Sequence, residues 1–147
     1  MNIYLRDATE KDRELLFQWA NDVEVRKNSF SSEKISYEEH CEWFTTMMKD
    51  ESCVQWILQV DETPVGQIRL ELNGKNAEIN YSICRERRGE GFGTLLLNLV
   101  LLQVKQKFPN IKTLVAKVKP TNIASLKAFE SSGYKSVFQQ FELEISR

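Results

Sequence analysis

The stretch Glu86 to Leu97, ERRGEGFGTLLL, joins an alternating apolar run to a leucine-rich one through glycines at positions 89, 91 and 93. A chain that passes from strand to helix in this way has bare, conformationally free backbone at the helix mouth. The first amides of a helix lack intrahelical acceptors and sit at the positive end of its dipole, so the passage can cradle an anion. Arg87 and Arg88 add charge-assisted donors. Two nucleotide motifs fail here. G-x-G-x-x-G needs glycine where Thr94 stands, and G-x-x-x-x-G-K-[ST] finds no lysine. A tight strand-to-helix turn with solvated arginines would explain the same residues, and the pattern alone does not choose.

The rest of the chain frames this passage. Asn2 to Leu5 reads as a strand. Thr9 with Asp12 three residues on reads as the cap of a first helix, with Leu15, Leu16 and Trp19 on its apolar face. Ser36 with Glu39 caps a second helix striped by Tyr37, Cys41, Phe44 and Met48, and a loop is expected between the two. From Val54 the period falls to two, through Trp56, Leu58 and Val60. The Asn73-Gly74 pair then predicts a two-residue hairpin turn. That turn pairs Leu72 with Lys75, Arg69 with Glu78 and Gln67 with Asn80. It leaves Leu70, Leu72, Ala77, Ile79, Tyr81 and Ile83 on the other face. After the glycines come a helix to about Lys107, a strand in TLVAKVK, a helix in TNIASLKAFESSG closed by Gly133, and one or two last strands in YKSVFQQFELEI. The order mixes an antiparallel meander with a βαβ crossover, an α+β class.

A length of 147 residues with 41% hydrophobic content suits a single domain over residues 1–147. Lys and Arg number 20 against 21 Asp and Glu, so no bulk field draws the chain to nucleic acid or an anionic membrane, and any anion must be held locally. Cys41, Cys53 and Cys84 show no metal-ligand or C-x-x-C spacing, which argues for reduced thiols in a cytoplasm and against a structural metal. The amino-terminal residues are too charged for a signal peptide, and TLLLNLVLLQV is too short to span a bilayer. A cytoplasmic chain, monomeric or a homodimer, is the expectation.

Arg88, Gly91 and Gly93 form R-x-x-G-x-G, which resembles the acetyl-CoA signature of the GNAT acetyltransferase superfamily. The segment KPTNIASLKAFESSGYK is similar to that family's N-x-x-A-x-x-h-a-E-x-x-G-h pattern, with h hydrophobic and a aromatic. Asn122, Ala124, Ser125, Phe129, Glu130, Gly133 and Tyr134 stand at its positions. The resemblance covers almost the whole chain. It implies a GNAT acyl-CoA N-acyltransferase fold, with a central mixed sheet of about six to seven strands flanked by four helices. It also implies acetyl-CoA as cosubstrate, no metal, and direct transfer of acetyl to a primary amine. The pyrophosphate would rest on the amides of the glycine loop, so Arg87, Arg88, Gly89, Gly91, Phe92, Gly93 and Thr94 are cofactor-site candidates. Ile83 and Cys84 would offer backbone groups where two strands splay, with Asn122 and Ser125 beside the pantetheine arm.

Acetyl transfer needs an uncharged amine, a donor to the carbonyl oxygen and a proton for the departing thiolate. The family often places its base on the fourth strand, which points to Glu78, although a cross-strand pair with Arg69 would account for that residue equally. His40 is the only histidine and titrates in the useful range, though a packed ring would explain it. Where many members carry a tyrosine acid, this chain has Phe129, which has no proton to give. Tyr134 is the next aromatic, equally a core residue. Water, the ammonium product or Ser125 are the other sources of the proton.

The segment WANDVEVRKNSFSSEKISYEEHCEWF resembles the W-x-N-D-x-x-V-R-x-x-S-F and S-x-x-E-H-x-x-W-F pattern of acetyltransferases acting on nucleotide-linked amino sugars, and ribosomal-protein N-acetyltransferases share part of it. The resemblance implies a small-molecule amine partner, a nucleotide-linked sugar. Asn21, Arg26, Ser29 and His40 are candidate contacts, and Phe30, Trp19, Trp43 or Phe44 a stacking wall. Peptide or ribosomal-protein N-terminal acetylation is the second reading, and a non-catalytic acyl-CoA-binding module the third, the latter favoured by Phe129.

Overall fold

The computed structural model describes residues 1–146. Its sheet runs in the order β1 (Ile3–Asp7), β2 (Cys53–Val60), β3 (Thr63–Asn73), β4 (Asn76–Ile83) and β5 (Thr113–Val115). The first four strands pair antiparallel, and β4 with β5 parallel. The helices are α1 (Arg13–Ala20), α2 (Val23–Asn28), α3 (Tyr37–Lys49), α4 (Phe92–Lys107) and α5 (Ile123–Ser131).

Alternation divides the sheet into two faces. Trp56, Leu58, Ile68, Leu70 and Ile79 point to one face and pack with Leu96, Leu97, Val100 and Val104 of α4 and with Phe129 of α5. The leucines that surround α4 in the sequence thus make it the buried centre of the larger core. On the other face Ile57 meets Leu16 of α1 and Phe44 and Met47 of α3 in a smaller one. Arg6 reaches Asp12 through two bonds of 2.7 and 2.8 Å, fixing β1 against the entry to α1. Among the described residues no helix is long and apolar enough to cross a membrane.

Four expectations change. The hairpin turn is Gly74-Lys75, with Asn73 opposite Asn76, so every pair moves by two residues. The faces are unaltered because the shift is even, but Arg69 now faces Asn80, Gln67 faces Ser82, and Glu78 faces Glu71. The expected pairing of Arg69 with Glu78 is therefore absent. The NDVEVRKN segment forms α2, because the Asp22 carboxylate accepts from the amides of Glu24 and Val25 and so starts a helix where a loop was expected. Only Thr113–Val115 of TLVAKVK is a strand. Residues 134–146 form no strand although their pattern alternates, since they meet no sheet edge within the chain, and the sheet has five strands in place of six to seven.

Candidate active site

Strands β4 and β5 pair only from Asn76 to Glu78 and from Thr113 to Val115. Beyond those residues the two chains part. Ile79, Tyr81 and Ile83 on one side and Ala116, Lys117 and Val118 on the other line an open cleft of about 960 Å³. The cleft continues to the glycine loop, where Gly89 and Gly91 have φ of 77° and 84°. Those angles are in the left-handed region that favours glycine. Gly91 is the N-cap of α4 and contributes no side-chain acceptor, so the first amides of the helix face the cleft uncapped. Gly93 lies against Tyr81, where an added Cβ would come 3.6 Å from the ring.

Arg88 does not project into this space as an open donor. Its Nε donates to the Ile83 carbonyl at 3.1 Å and its Nη2 to Asp22 at 2.7 Å. Burial raises the Asp22 carboxyl, but Arg88 and the α2 amides outweigh it and hold the group below its usual value. Arg87 stands over the Phe92 ring at 4.8 Å and donates to Glu90 at 3.1 Å. Thr94, Asn122 and Ser125 line the cleft, and the Asn122 side chain caps α5 through the Ser125 amide. Cys84 falls outside the cleft wall, its amide donating to Val65 across the sheet at 2.8 Å.

The other half of the cleft has a polar floor supplied by β2, β3 and β4. Gln55 donates to Gln67 at 2.8 Å, and Gln67 donates to Asn80 at 3.3 Å and Ser82 at 3.2 Å. This row runs from buried Gln55 to exposed Asn80. Arg69 lies beyond it, 5.2 Å over the Trp43 ring, its buried Nε 3.6 Å from the Glu71 carboxylate and without a hydrogen bond among the described residues. Arg69, Trp43 and Lys117 are shared with an adjoining recess of about 710 Å³ that also contains Glu78.

Residues 2–135 match the model of the acetyltransferase (GNAT) domain. The chain belongs to the GNAT acetyltransferase family. The cleft with its uncapped α4 amides fits acetyl-CoA, the cosubstrate that the sequence pattern implies. The uncharacterised protein MJ1062 of Methanocaldococcus jannaschii is 32% identical over 140 residues, 90% of this chain, while the chain spans 28% of that protein's length. A crystallised domain from the same organism superposes with a TM-score of 0.82 at 32% identity, covering 96% of this chain and 93% of that one. Spermidine N-acetyltransferase from Vibrio cholerae, solved with CoA and spermine, gives 0.79 at 21%, covering 89% and 79%. The aminoglycoside acetyltransferase AAC(6')-Ib with coenzyme A gives 0.79 at 17%, covering 91% and 84%.

Within this GNAT frame several expected contacts turn inward. The Arg26 guanidinium is spent on the carbonyls of Ala20, Ser31 and Glu33 and on the Ser29 hydroxyl. Ser29 itself donates to the Val25 carbonyl, and Asn21 both donates to and accepts from the Ile35 backbone at 2.8 Å. These three hold the α2–α3 loop in shape rather than offering open donors. Phe30 remains exposed at the cleft rim, Trp43 is half-exposed there, and Phe44 is buried in the smaller core.

His40 is buried, 2.8 Å from the Arg13 carbonyl through Nε2 and packed against Phe17, Trp43 and Phe44. The ring lines the cleft, but its Nε2 is already engaged by that carbonyl. Tyr134 packs its ring 4.8 Å from Phe129 and lies outside the cleft wall. Its burial, with Tyr81 nearby, pushes the phenol up to about 12. Glu78 sits 3.3 Å from Lys117 at the mouth of the adjoining recess.

Tyr81 is the residue that the sequence reading missed. Its hydroxyl lies 3.1 Å from the Ser125 hydroxyl, and its ring meets the edge of Phe129 at 5.6 Å. Burial pushes the phenol above its ordinary value, with Ser125 pulling weakly the other way. The period-two pattern put Tyr81 on the apolar face and nothing marked its hydroxyl. The signal was available in combination: a tyrosine on the apolar face two residues before Ile83, facing a segment whose expected tyrosine is phenylalanine.

Proposed function

We propose that this domain acetylates the primary amine of a small, polyhydroxylated acceptor, with a nucleotide-linked amino sugar as the leading substrate. The observation that carries the reading is the hydrogen-bonded row Gln55, Gln67, Asn80 and Ser82 across the acceptor half of the cleft. Amides and hydroxyls in a row suit sugar hydroxyls, which offer a donor and an acceptor at each carbon. Arg69, backed by the Trp43 ring and 3.6 Å from Glu71, provides positive charge at the end of the row for a phosphate. The named activities of the structural neighbours, on an aminoglycoside and on spermidine, are likewise on small amines.

In the transfer the amine, freed of its extra proton, attacks the thioester carbonyl, and the carbon–sulfur bond breaks as the carbon–nitrogen bond forms. Glu78 takes the amine proton through water, its charge held by Lys117. The Tyr81–Ser125 hydroxyl pair gives a proton to the departing sulfur in place of the tyrosine that Phe129 replaces. Glu78 then releases the amine proton to water and Tyr81 recovers one from it, so protons balance. A proton source at this pair supports a catalytic reading over a non-catalytic module. Thiol release measured with nucleotide-linked amino sugars, free amino sugars, peptides and polyamines tests the reading. Turnover on the nucleotide-linked sugars alone or best is expected, and preference for peptides or polyamines would overturn it.

A further inference from the structure

The two strands that open the cleft meet at a vertex. β4 and β5 are paired as far as Glu78 and Val115 and part beyond them. An acyl arm that enters between them from the glycine loop therefore points its thioester toward Glu78 and the first residues after Val115. Lys117 is the second of these, and its Nζ lies 3.3 Å from a Glu78 carboxylate oxygen. Among the lysines of the described residues, Lys117 alone forms an ion pair.

The neighbouring lysines are placed differently. Lys127 also lines the cleft, but it belongs to α5 and has no carboxylate partner among the described residues. Lys119 donates to the Lys27 carbonyl at 3.0 Å. Lys117 is thus a primary amine of the chain itself, held beside the carboxylate that takes the acceptor's proton. Its side chain is 58% exposed and that of Glu78 39%, and an ion pair so open to water is easily broken. The flexible four-carbon stem can then turn Nζ from the carboxylate into the gap.

We propose that Lys117 is a self-acetylation site, whose Nζ takes the acetyl group of acetyl-CoA when no acceptor is bound. This rests on the role given above to Glu78 and on transfer from acetyl-CoA, but not on which acceptor is used. The Lys117 ammonium gives one proton to Glu78, and the free amine attacks the thioester carbonyl. A carbon–nitrogen bond forms and the carbon–sulfur bond breaks. The Tyr81–Ser125 pair protonates the departing sulfur, the acylated nitrogen releases its second proton to water, and Glu78 and Tyr81 return to their starting forms through water. One ammonium and one thioester become one amide, one thiol and one free proton. An acceptor ammonium drawn to Glu78 displaces the lysine, so the modification belongs to the acceptor-free enzyme. The amide carries no charge, which removes the resident cation from Glu78.

Incubation of the full chain with acetyl-CoA alone, followed by digestion and mass spectrometry, tests this. Acetyl is expected on Lys117 about 10²-fold faster than on the exposed Lys49 and Lys105, which lie outside the cleft wall and report direct chemical acetylation. The rate constant should not change with protein concentration, as transfer within one chain requires. Lys117→Arg keeps a cation beside Glu78 and should lower the total label to the background of the surface lysines. Glu78→Gln should slow labelling of Lys117 by about 10²-fold while coenzyme A still raises the melting temperature. Labelling of Lys117 no faster than that of Lys49 overturns the proposal. So does a rate constant that rises with protein concentration, or labelling undiminished in Glu78→Gln. Turnover of nucleotide-linked amino sugars with no label on Lys117 overturns it and leaves the acceptor assignment standing, whereas label on Lys117 with a preference for peptides does the reverse.

Discussion

Arg88 reaches from the loop ahead of α4 to Asp22, 2.7 Å from Nη2 to Oδ2, and so ties the cofactor half of the cleft to the cap of α2. The same guanidinium holds the Ile83 carbonyl at the splay. One side chain therefore sets the spacing of three elements that must meet acetyl-CoA and the acceptor together. Arg88→Ala should raise KM for both substrates more than it lowers kcat, and cost about 1.5–3 kcal/mol of stability for a lost charged hydrogen bond. Arg88→Lys should rescue little, because an ammonium on a single stem does not reproduce the planar fork that spans both acceptors. Initial-rate kinetics in both substrates with thermal melting decide it. A selective rise in KM for acetyl-CoA alone would instead mark Arg88 as a direct phosphate ligand.

Tyr81 and Ser125 share a hydrogen bond beside the ring of Phe129. Tyr81→Phe keeps the ring packed and removes the proton source, so kcat should fall by about 10²-fold with KM for acetyl-CoA nearly unchanged. Since the phenol is pushed up from its ordinary value near 10, its ionisation should leave the rate flat through neutral pH and reduce it only on the far alkaline side. An alkaline limb in the wild type that is missing from Tyr81→Phe is the signature sought. Equal kcat for the two proteins would remove Tyr81 from the chemistry.

Gly91 has a φ of 84° and open space around the position a Cβ would take. Gly91→Ala therefore meets no clash, and its cost is left-handed backbone strain of about 1–2 kcal/mol. Relief of that strain would rotate the amides at the start of α4 away from the cleft. The expected result is a small loss of melting temperature and a larger loss of the stabilisation that coenzyme A gives, read by thermal shift with and without the ligand. Stabilisation by coenzyme A equal to that of the wild type would separate the loop from phosphate binding.

The parts of this fold that were legible in the sequence are those set by local chemistry. The Thr9–Asp12 and Ser36–Glu39 caps, the alternation in β2 to β4 and the glycine entry to α4 each depend on residues within a few positions of one another. What failed depended on partners elsewhere. The register of β3 and β4 moved by two because turn chemistry tolerates either Asn73-Gly74 or Gly74-Lys75, and alternation is blind to an even shift. Arg26 and Asn21 read as substrate contacts because a sequence cannot show which carbonyls a loop will turn toward them. The segment after Tyr134 has strand periodicity, but a strand exists only against an edge.

Asp12 joins two of these levels, closing the Thr9 capping box while accepting two bonds from Arg6. The Arg6 hydrogen bonds, opposed by burial and helped by the Thr9 amide, hold its carboxyl below the usual value. A carboxyl depressed in the folded state stabilises the fold above its unfolded pKa of about 3.9, and that contribution is lost as pH falls through the folded value. Stability should accordingly decline below about pH 4, and the decline should be shallower in Asp12→Asn, which has no such group to protonate. At neutral pH the same variant should be less stable by roughly 2–3 kcal/mol, since it strands the Arg6 guanidinium and weakens the entry to α1. Urea unfolding of both proteins from pH 3 to pH 7 measures the two effects together. Parallel curves across that range would show that the Arg6–Asp12 pair adds nothing to acid sensitivity.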